Sequence, residues 1–233
     1  MNTTAAIIAQ LKALSDPNKV EYKAKKFNVR TQNSLGIYHA DLNKIARQIP
    51  KKSDLAIELW NSGIYEARLL ASKIFRPKEL THELAETWVI EFDNWEICDS
   101  FSMGVFGKSP WAITLIHGWR NRKEEFVKRA AFATMAAYVG ADKKAENHTI
   151  LDFLPYIEKV ANDERNFVKK AVNWALRTIG KRNSDLQTEV LALCNRLILS
   201  QSTSAKWIAS DALRELTSPN VKMQDHPRHI YRP

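Results

Sequence analysis

Glycine is scarce, with seven in 233 residues, about 3% against a usual share of about 7%. A β-rich chain or a dinucleotide-binding fold needs more glycine for its turns and phosphate loops, so both are excluded. Cysteine is scarcer still. Cys98 and Cys194 stand alone, too few for a disulfide framework and without CxxC spacing, which fits a reducing cytosol and a cytoplasmic location. Long apolar runs are missing as well. The longest nearly uncharged stretch, 130–141, has 12 residues, too short to cross a bilayer. The N-terminus has no basic n-region and no cleavage site. A soluble protein with no membrane partner is therefore expected. No HExxH, metal-binding Cys/His spacing, GxGxxG, P-loop or GxSxG occurs. Chemistry on this chain has to rest on carboxylates, aromatics and basic groups, with no metal and no cofactor.

What the chain does have is a globular composition, 45% hydrophobic and 26% charged, with a net charge of +9. That balance excludes a disordered chain, and the length suffices to bury roughly 70–75% of the unfolded surface. The positive charge is uneven. From Trp119 to Arg182 there are 14 Lys and Arg against 8 Asp and Glu, so +6 of the +9 falls in that quarter of the chain. A clustered basic excess suits a polyanionic partner, although a solvated helical face gives the same count.

Apolar residues recur at helical spacing and strand-like alternation is absent. Breaks fall at Pro17, Pro50, Gly63, Pro77 and the Gly104/Gly107 pair. Ser53, Thr81 and Asp93 or Asn94 stand where helix N-caps belong. The irregular stretch 28–40 is the only long one, and Ile150–Ala161 reads as one helix. In the second half, Phe-Val-Lys-Arg-Ala at 126–130 returns as Phe-Val-Lys-Lys-Ala at 167–171, and Ile-Ala-Ser-Asp-Ala at 208–212 keeps the same 41-residue frame. A unit of that length is the signature of HEAT-like helix pairs, which bury their apolar stripes only by stacking. The fold expected is all-α, a curved α-solenoid of antiparallel helix pairs. One domain over 1–218 and a poorly ordered tail over 219–233 are expected, in a monomer. Arg129 and Lys170 are repeat-equivalent and share a surface, whereas Asp211 ends that basic series as a cap would.

Several constellations carry chemistry, each beside a plainer reading. Trp95 and Asp99 are one helical turn apart, an aromatic face next to a carboxylate, which suits a cation. Core packing of Trp95 and solvation of Asp99 would produce the same spacing. Trp174 replaces the repeat-equivalent Ala133, so it fills a packing gap or lines a pocket. Arg129 can grip phosphate bidentately or sit on a solvated face. Tyr22, in Tyr-Lys-Ala-Lys-Lys-Phe, is an aromatic among lysines or an ordinary amphipathic residue.

Five strings in order then carry a resemblance: Leu-Gly-Ile at 35–37, Trp-Asn-Ser-Gly-Ile-Tyr-Glu-Ala-Arg at 60–68, Asn-Trp-Glu-Ile-Cys-Asp at 94–99, Phe-Val-Lys-Arg-Ala-Ala at 126–131 and Phe-Val-Lys-Lys-Ala-Val-Asn-Trp-Ala-Leu-Arg at 167–177. From about Asp16 to Thr217 the chain resembles the bacterial DNA alkylation repair (AlkD) family of HEAT-like-repeat DNA glycosylases. The resemblance implies an alkylpurine DNA glycosylase that excises cationic N-alkylated purines, 3-methyladenine and 7-methylguanine, from double-stranded DNA. It places the catalytic carboxylate on Asp99, its partner tryptophan on Trp95, the cleft arginine on Arg129 and a second cleft tryptophan on Trp174. Tyr22 matches a tyrosine of the family's early helix. Lys128, Lys169, Lys170 and Arg177 are the expected contacts to the DNA backbone. Some relatives bind DNA without the catalytic set, so a binder of damaged or branched DNA is the alternative, and a protein-interaction scaffold is another.

Overall fold

The computed structural model describes residues 3–232. Among them there are α-helices and short 3-10 turns and no strand. The chain groups into two compact units, Met1–Pro110 and Trp111–Pro233, where a single domain over 1–218 is expected from sequence. The boundary falls at the loop after the second glycine of the Gly104/Gly107 pair.

The first unit comprises α1 (Thr4–Ala13), α2 (Pro17–Phe27), α3 (His39–Gln48), α4 (Ser53–Asn61), α5 (Tyr65–Ile74), α6 (His82–Val89) and α7 (Trp95–Gly104). Its core is aromatic. Trp60, Trp88 and Phe101 lie within 5.0–5.6 Å of one another by ring centroids, and Phe75 meets Trp88 edge-on at 5.1 Å. Such edge-to-face pairs add about 0.5–1.5 kcal/mol each beyond the area buried. Caps set several boundaries. Asp16 accepts from Asn18 N–H ahead of Pro17, Thr81 accepts from Leu84 N–H, and Asn94 accepts from both Glu96 and Ile97 N–H at the start of α7. Ser53 differs from its expected role. It is the first helical residue of α4, after the N-cap Lys52, and its hydroxyl accepts from Arg76 N–H at 3.3 Å.

The long loop 28–38 is ordered by a buried carboxylate on α5. Glu66 accepts from the backbone N–H groups of Leu35 at 2.7 Å, Gly36 at 2.9 Å and Ile37 at 3.3 Å, and from the Ser34 hydroxyl. Gly36 has φ +76°, and a Cβ there would stand 2.2 Å from the Asp16 carbonyl oxygen. Only glycine fits that turn.

The second unit holds α8 (Ala112–Trp119), α9 (Glu125–Ala141), α10 (Asn147–Leu151), α11 (Leu154–Val160), α12 (Asn166–Gly180), α13 (Ser184–Leu197), α14 (Thr203–Leu216) and α15 (Arg228–Tyr231). The single helix expected over Ile150–Ala161 is two. Pro155 lacks an N–H and occupies the first turn of α11, where that lack costs nothing, so the chain turns at Asp152–Phe153 instead of running on. The 41-residue frame appears as packing: α9 lies against α12, α12 against α14, and α8 and α13 pair with their neighbours in sequence. Bonds between successive repeats recur at a separation of 38 residues. Arg129 donates to Phe167, Asn173 to Asp211, Arg177 to Glu215, and Arg196 to Glu158. One turn less than the repeat length is what joins a residue to the next repeat's neighbouring turn.

Of the tail 219–233, expected to be loose, the described residues 219–232 are held against this unit, and Pro233 lies outside the described residues. Gln224 and His226 N–H donate to the carbonyls of Lys181 and Arg182 at 2.8 and 3.0 Å. Asn183 donates to the His226 carbonyl at 2.7 Å, and the Tyr231 hydroxyl joins Asn147 and Asp185. The polar groups exposed at the end of α12 need partners, and the tail supplies them. Sequence composition does not register such docking.

Candidate functional site

Helix α7 carries two of the residues expected at the site, Trp95 and Asp99. Asn94 caps it, so residues 95–99 begin in fixed helical geometry, and Trp95 and Asp99 fall on one face, both half-buried. The Trp95 indole N–H donates to the Phe27 carbonyl at 2.8 Å. Phe27 is the last residue of α2, and its helix ends at Asn28 in the left-handed region, φ 53°. The indole thus satisfies a carbonyl that the helix end leaves without an intrahelical partner, and this bond ties the tilt of Trp95 to α2. The Tyr22 ring, 48% exposed, meets the Phe27 ring edge-on at 5.8 Å. Tyr22, Phe27 and Trp95 are in this way linked at one edge of the unit.

Trp95 and Asp99 line a cleft of about 490 Å³ with His39, Lys51, Ser72, Lys73, Glu96, Met103 and Lys108 among its walls. Beneath it Glu96 is buried and organises a network that the sequence does not single out. Its carboxylate lies 2.6 Å from Lys23 Nζ and 3.3 Å from His39 Nε2, and the Tyr65 hydroxyl donates to it at 2.8 Å. The Tyr65 hydroxyl is also 2.9 Å from the Asn94 cap oxygen. Burial works against ionising Glu96, yet the hydrogen bonds from His39, Lys23 and Tyr65 and the Lys23 charge outweigh it and hold the carboxyl at about 2. Burial pushes the Tyr65 phenol well above its ordinary range, and the Glu96 charge adds to this. Lys73 is pulled down by burial, with Glu96 opposing. The sequence signal for Glu96 is its place two residues after the cap Asn94, next to Trp95. An acid in a first turn reads as a dipole partner, however, and nothing local points to Lys23.

The remaining expected residues lie in the second unit. Arg129 on α9 is 6% exposed, and its Nη1 donates to the Phe167 carbonyl at 2.6 Å, next to the stacked Phe126 and Phe167 rings 5.4 Å apart. Trp174 on α12 is half-buried, outside the fully buried core that Ala133 joins. Lys170 is exposed on the same helix. The other expected phosphate contacts have partners within the fold. Lys128 pairs with Asp163 at 3.1 Å, Lys169 lies 5.5 Å over the Trp207 ring, and Arg177 pairs with Glu215 and Asp211. Hydrogen bonds from Arg165 first, then Lys128, hold Asp163 at about 2 against its burial.

Comparison with known proteins gives three findings. Residues 7–218 match the family model described as DNA alkylation repair enzyme. An uncharacterised protein of Listeria innocua is 21% identical over 194 residues, which span 82% of this chain and 84% of the relative. A solved structure described as a new family of proteins related to the HEAT-like repeat DNA glycosylases, with affinity for branched DNA structures, superposes with a TM-score of 0.75 at 16% identity. The match covers 95% of this chain and 98% of that one. At that identity the likeness shows a shared HEAT-like helical fold.

Proposed function

The chain belongs to the DNA alkylation repair enzyme family, and from that premise we propose that it excises cationic N-alkylated purines, 3-methyladenine and 7-methylguanine, from duplex DNA. The observation that carries this reading is the placement of Asp99 and Trp95 on one face of α7 at an open cleft.

Ring alkylation gives the purine a positive charge, so the departing base takes the glycosidic electron pair and leaves neutral. The leaving group needs no protonation by a strong acid, unlike a sugar alcohol. Positive charge instead moves to the deoxyribose. An ionised Asp99 facing C1′ stabilises that charge with a negative charge set in place before the reaction, and it orients the water that adds to C1′ and loses a proton. The product is free base and an abasic sugar. Trp95, its edge fixed by Phe27, offers a π face to the cationic sugar or base. Glu96 is held by Lys23 and His39 in a structural role, and the sugar is assigned to Asp99, the other carboxylate lining the cleft. In the second unit, Trp174 and Lys170 offer an aromatic and an ammonium suited to nucleic acid, and Arg129 sets the local conformation at Phe167 while contributing positive charge.

A second reading has its own support. The superposable relative has affinity for branched DNA, and a helical-repeat protein of this charge could bind junctions without cleaving anything. Release of methylated base from alkylated duplex by the purified protein separates the two. Release at a rate above the spontaneous one supports excision, whereas tight junction binding with no release establishes the binder.

A further inference from the structure

We infer that Lys51, Lys73 and Lys108 form a phosphate subsite beside Asp99 that grips the backbone of the strand carrying the damaged nucleotide. This deepens the proposed function and rests on it.

The three lysines are far apart in sequence, and the fold gathers them at the C-terminal end of α5. Lys73 lies in the last turn of that helix. The segment before α4 is tied to the same end: Lys52 N–H donates to the Ile74 carbonyl at 3.0 Å, and Arg76 Nε donates to the Lys51 carbonyl at 2.8 Å. Lys108 arrives on the 3-10 turn Phe106–Lys108 directly after α7. Helix α7 itself lies close on α5, since a Cβ on Gly104 would stand 2.3 Å from the Ser72 carbonyl oxygen. All three lysines line the cleft that Asp99 lines.

Charge counts the same way. The cleft has three lysines against two carboxylates, and Glu96 is already matched by Lys23 from outside the lining. The surplus shares the cleft with Asp99. Lys51 and Lys108 are exposed and alone would be ordinary solvated lysines, but Lys73 is half-buried. Burial disfavours its ammonium, and the nearby Glu96 only partly offsets this. A phosphate would restore to that ammonium the stabilisation that burial removes. The cleft thereby has one sign of charge for each part of a nucleotide: ammonium groups for the phosphate and a carboxylate for the cationic sugar. Holding the phosphate fixes the sugar over Asp99, which is positioning rather than chemistry.

The test is equilibrium binding to a short duplex, undamaged or with an abasic analogue, across a salt series. Wild type is compared with the K51M/K73M/K108M triple variant and with K73R. Each lost phosphate contact lowers the slope of log K against log salt by about 0.9, so the triple variant should be shallower by about 2 to 3 and bind roughly 10- to 100-fold more weakly near 0.1 M salt. K73R should keep the wild-type slope. Single neutral methylphosphonate linkages, scanned along the damaged strand, should weaken wild type at two or three positions next to the abasic site and leave the triple variant unaffected there. An unchanged slope, or the same methylphosphonate profile in both proteins, overturns the subsite. If the triple variant melts early, the exposed pair K51M/K108M replaces it: a slope shallower by nearly 2 supports the subsite and an unchanged slope overturns it. These readouts involve no excision, so a protein that fails to release base but shows the slope change would refute the proposed catalysis and keep the subsite.

Discussion

Glu96 shows how a single buried carboxylate can hold the proposed catalytic surface in place. It is ionised in the fold at a pH where a free glutamate is half protonated, because His39, Lys23 and Tyr65 outweigh its burial and bring it to about 2. A depressed carboxyl adds stability above the unfolded value of 4.5, and that stability is lost as pH falls through the folded value. Wild type should therefore lose about 3 kcal/mol between pH 4.5 and 2 from this group alone. Glu96→Gln leaves the 3%-exposed Lys23 without its counter-charge, so it should cost about 3 kcal/mol at pH 7 and flatten that acid limb. Urea titrations at pH 7, 4.5 and 3 check both. Trp174 tests the other unit. It is half-buried, so Trp174→Ala should lower stability by less than the roughly 3–5 kcal/mol of a core tryptophan and slow excision by tenfold or more. A large drop in melting temperature with wild-type turnover would make Trp174 a packing residue.

At the scale of elements, α7 works because it lies close on α5. Gly104→Ala would drive a methyl into the Ser72 carbonyl, a backbone atom that cannot swing aside. A loss of about 1–3 kcal/mol is expected from such overpacking, together with slower excision, since Asp99 and Lys73 shift relative to each other. Gly118→Ala in α8 meets nothing within 4 Å and should be neutral or stabilise by up to about 1 kcal/mol. Thermal melts of the pair separate close packing from helix propensity. Much at this scale is legible in the sequence. Thr81 and Asn94 cap the helices they precede, and the Phe126–Phe167–Ile208 frame is the stacking of α9, α12 and α14. Local chemistry decides a cap, and periodicity decides a repeat, so both are visible in one chain. Ser53 and the Asp152–Phe153 turn depart from expectation for the opposite reason. Ser53 finds its partner 23 residues away at Arg76, and the break before Pro155 depends on which side of the proline the helix resumes.

At the scale of the molecule, the sequence marks out residues by type and leaves their partners unstated. Trp95 and Asp99 are readable because one helix carries both. The Lys23–Glu96–His39 network joins three helices, so no spacing rule could expose it. The basic excess from Trp119 to Arg182 is real in count, but Lys128 and Arg177 have acidic partners in the fold. Charge counted along a chain therefore overstates what is left for a polyanion, and the half-buried and exposed lysines of the first unit are proposed to make up part of the difference. The central claim is that Asp99 is a catalytic anion. It is tested most directly by single-turnover release of 7-methylguanine by wild type and Asp99→Asn, alongside a binding titration at one salt concentration. Losing one strong electrostatic contact of about 3 kcal/mol corresponds to a rate lower by about two orders of magnitude. The account predicts that fall with DNA affinity unchanged or slightly higher, since a negative charge facing phosphates is removed. Wild-type release by the Asn variant, or no release by wild type itself, would contradict it.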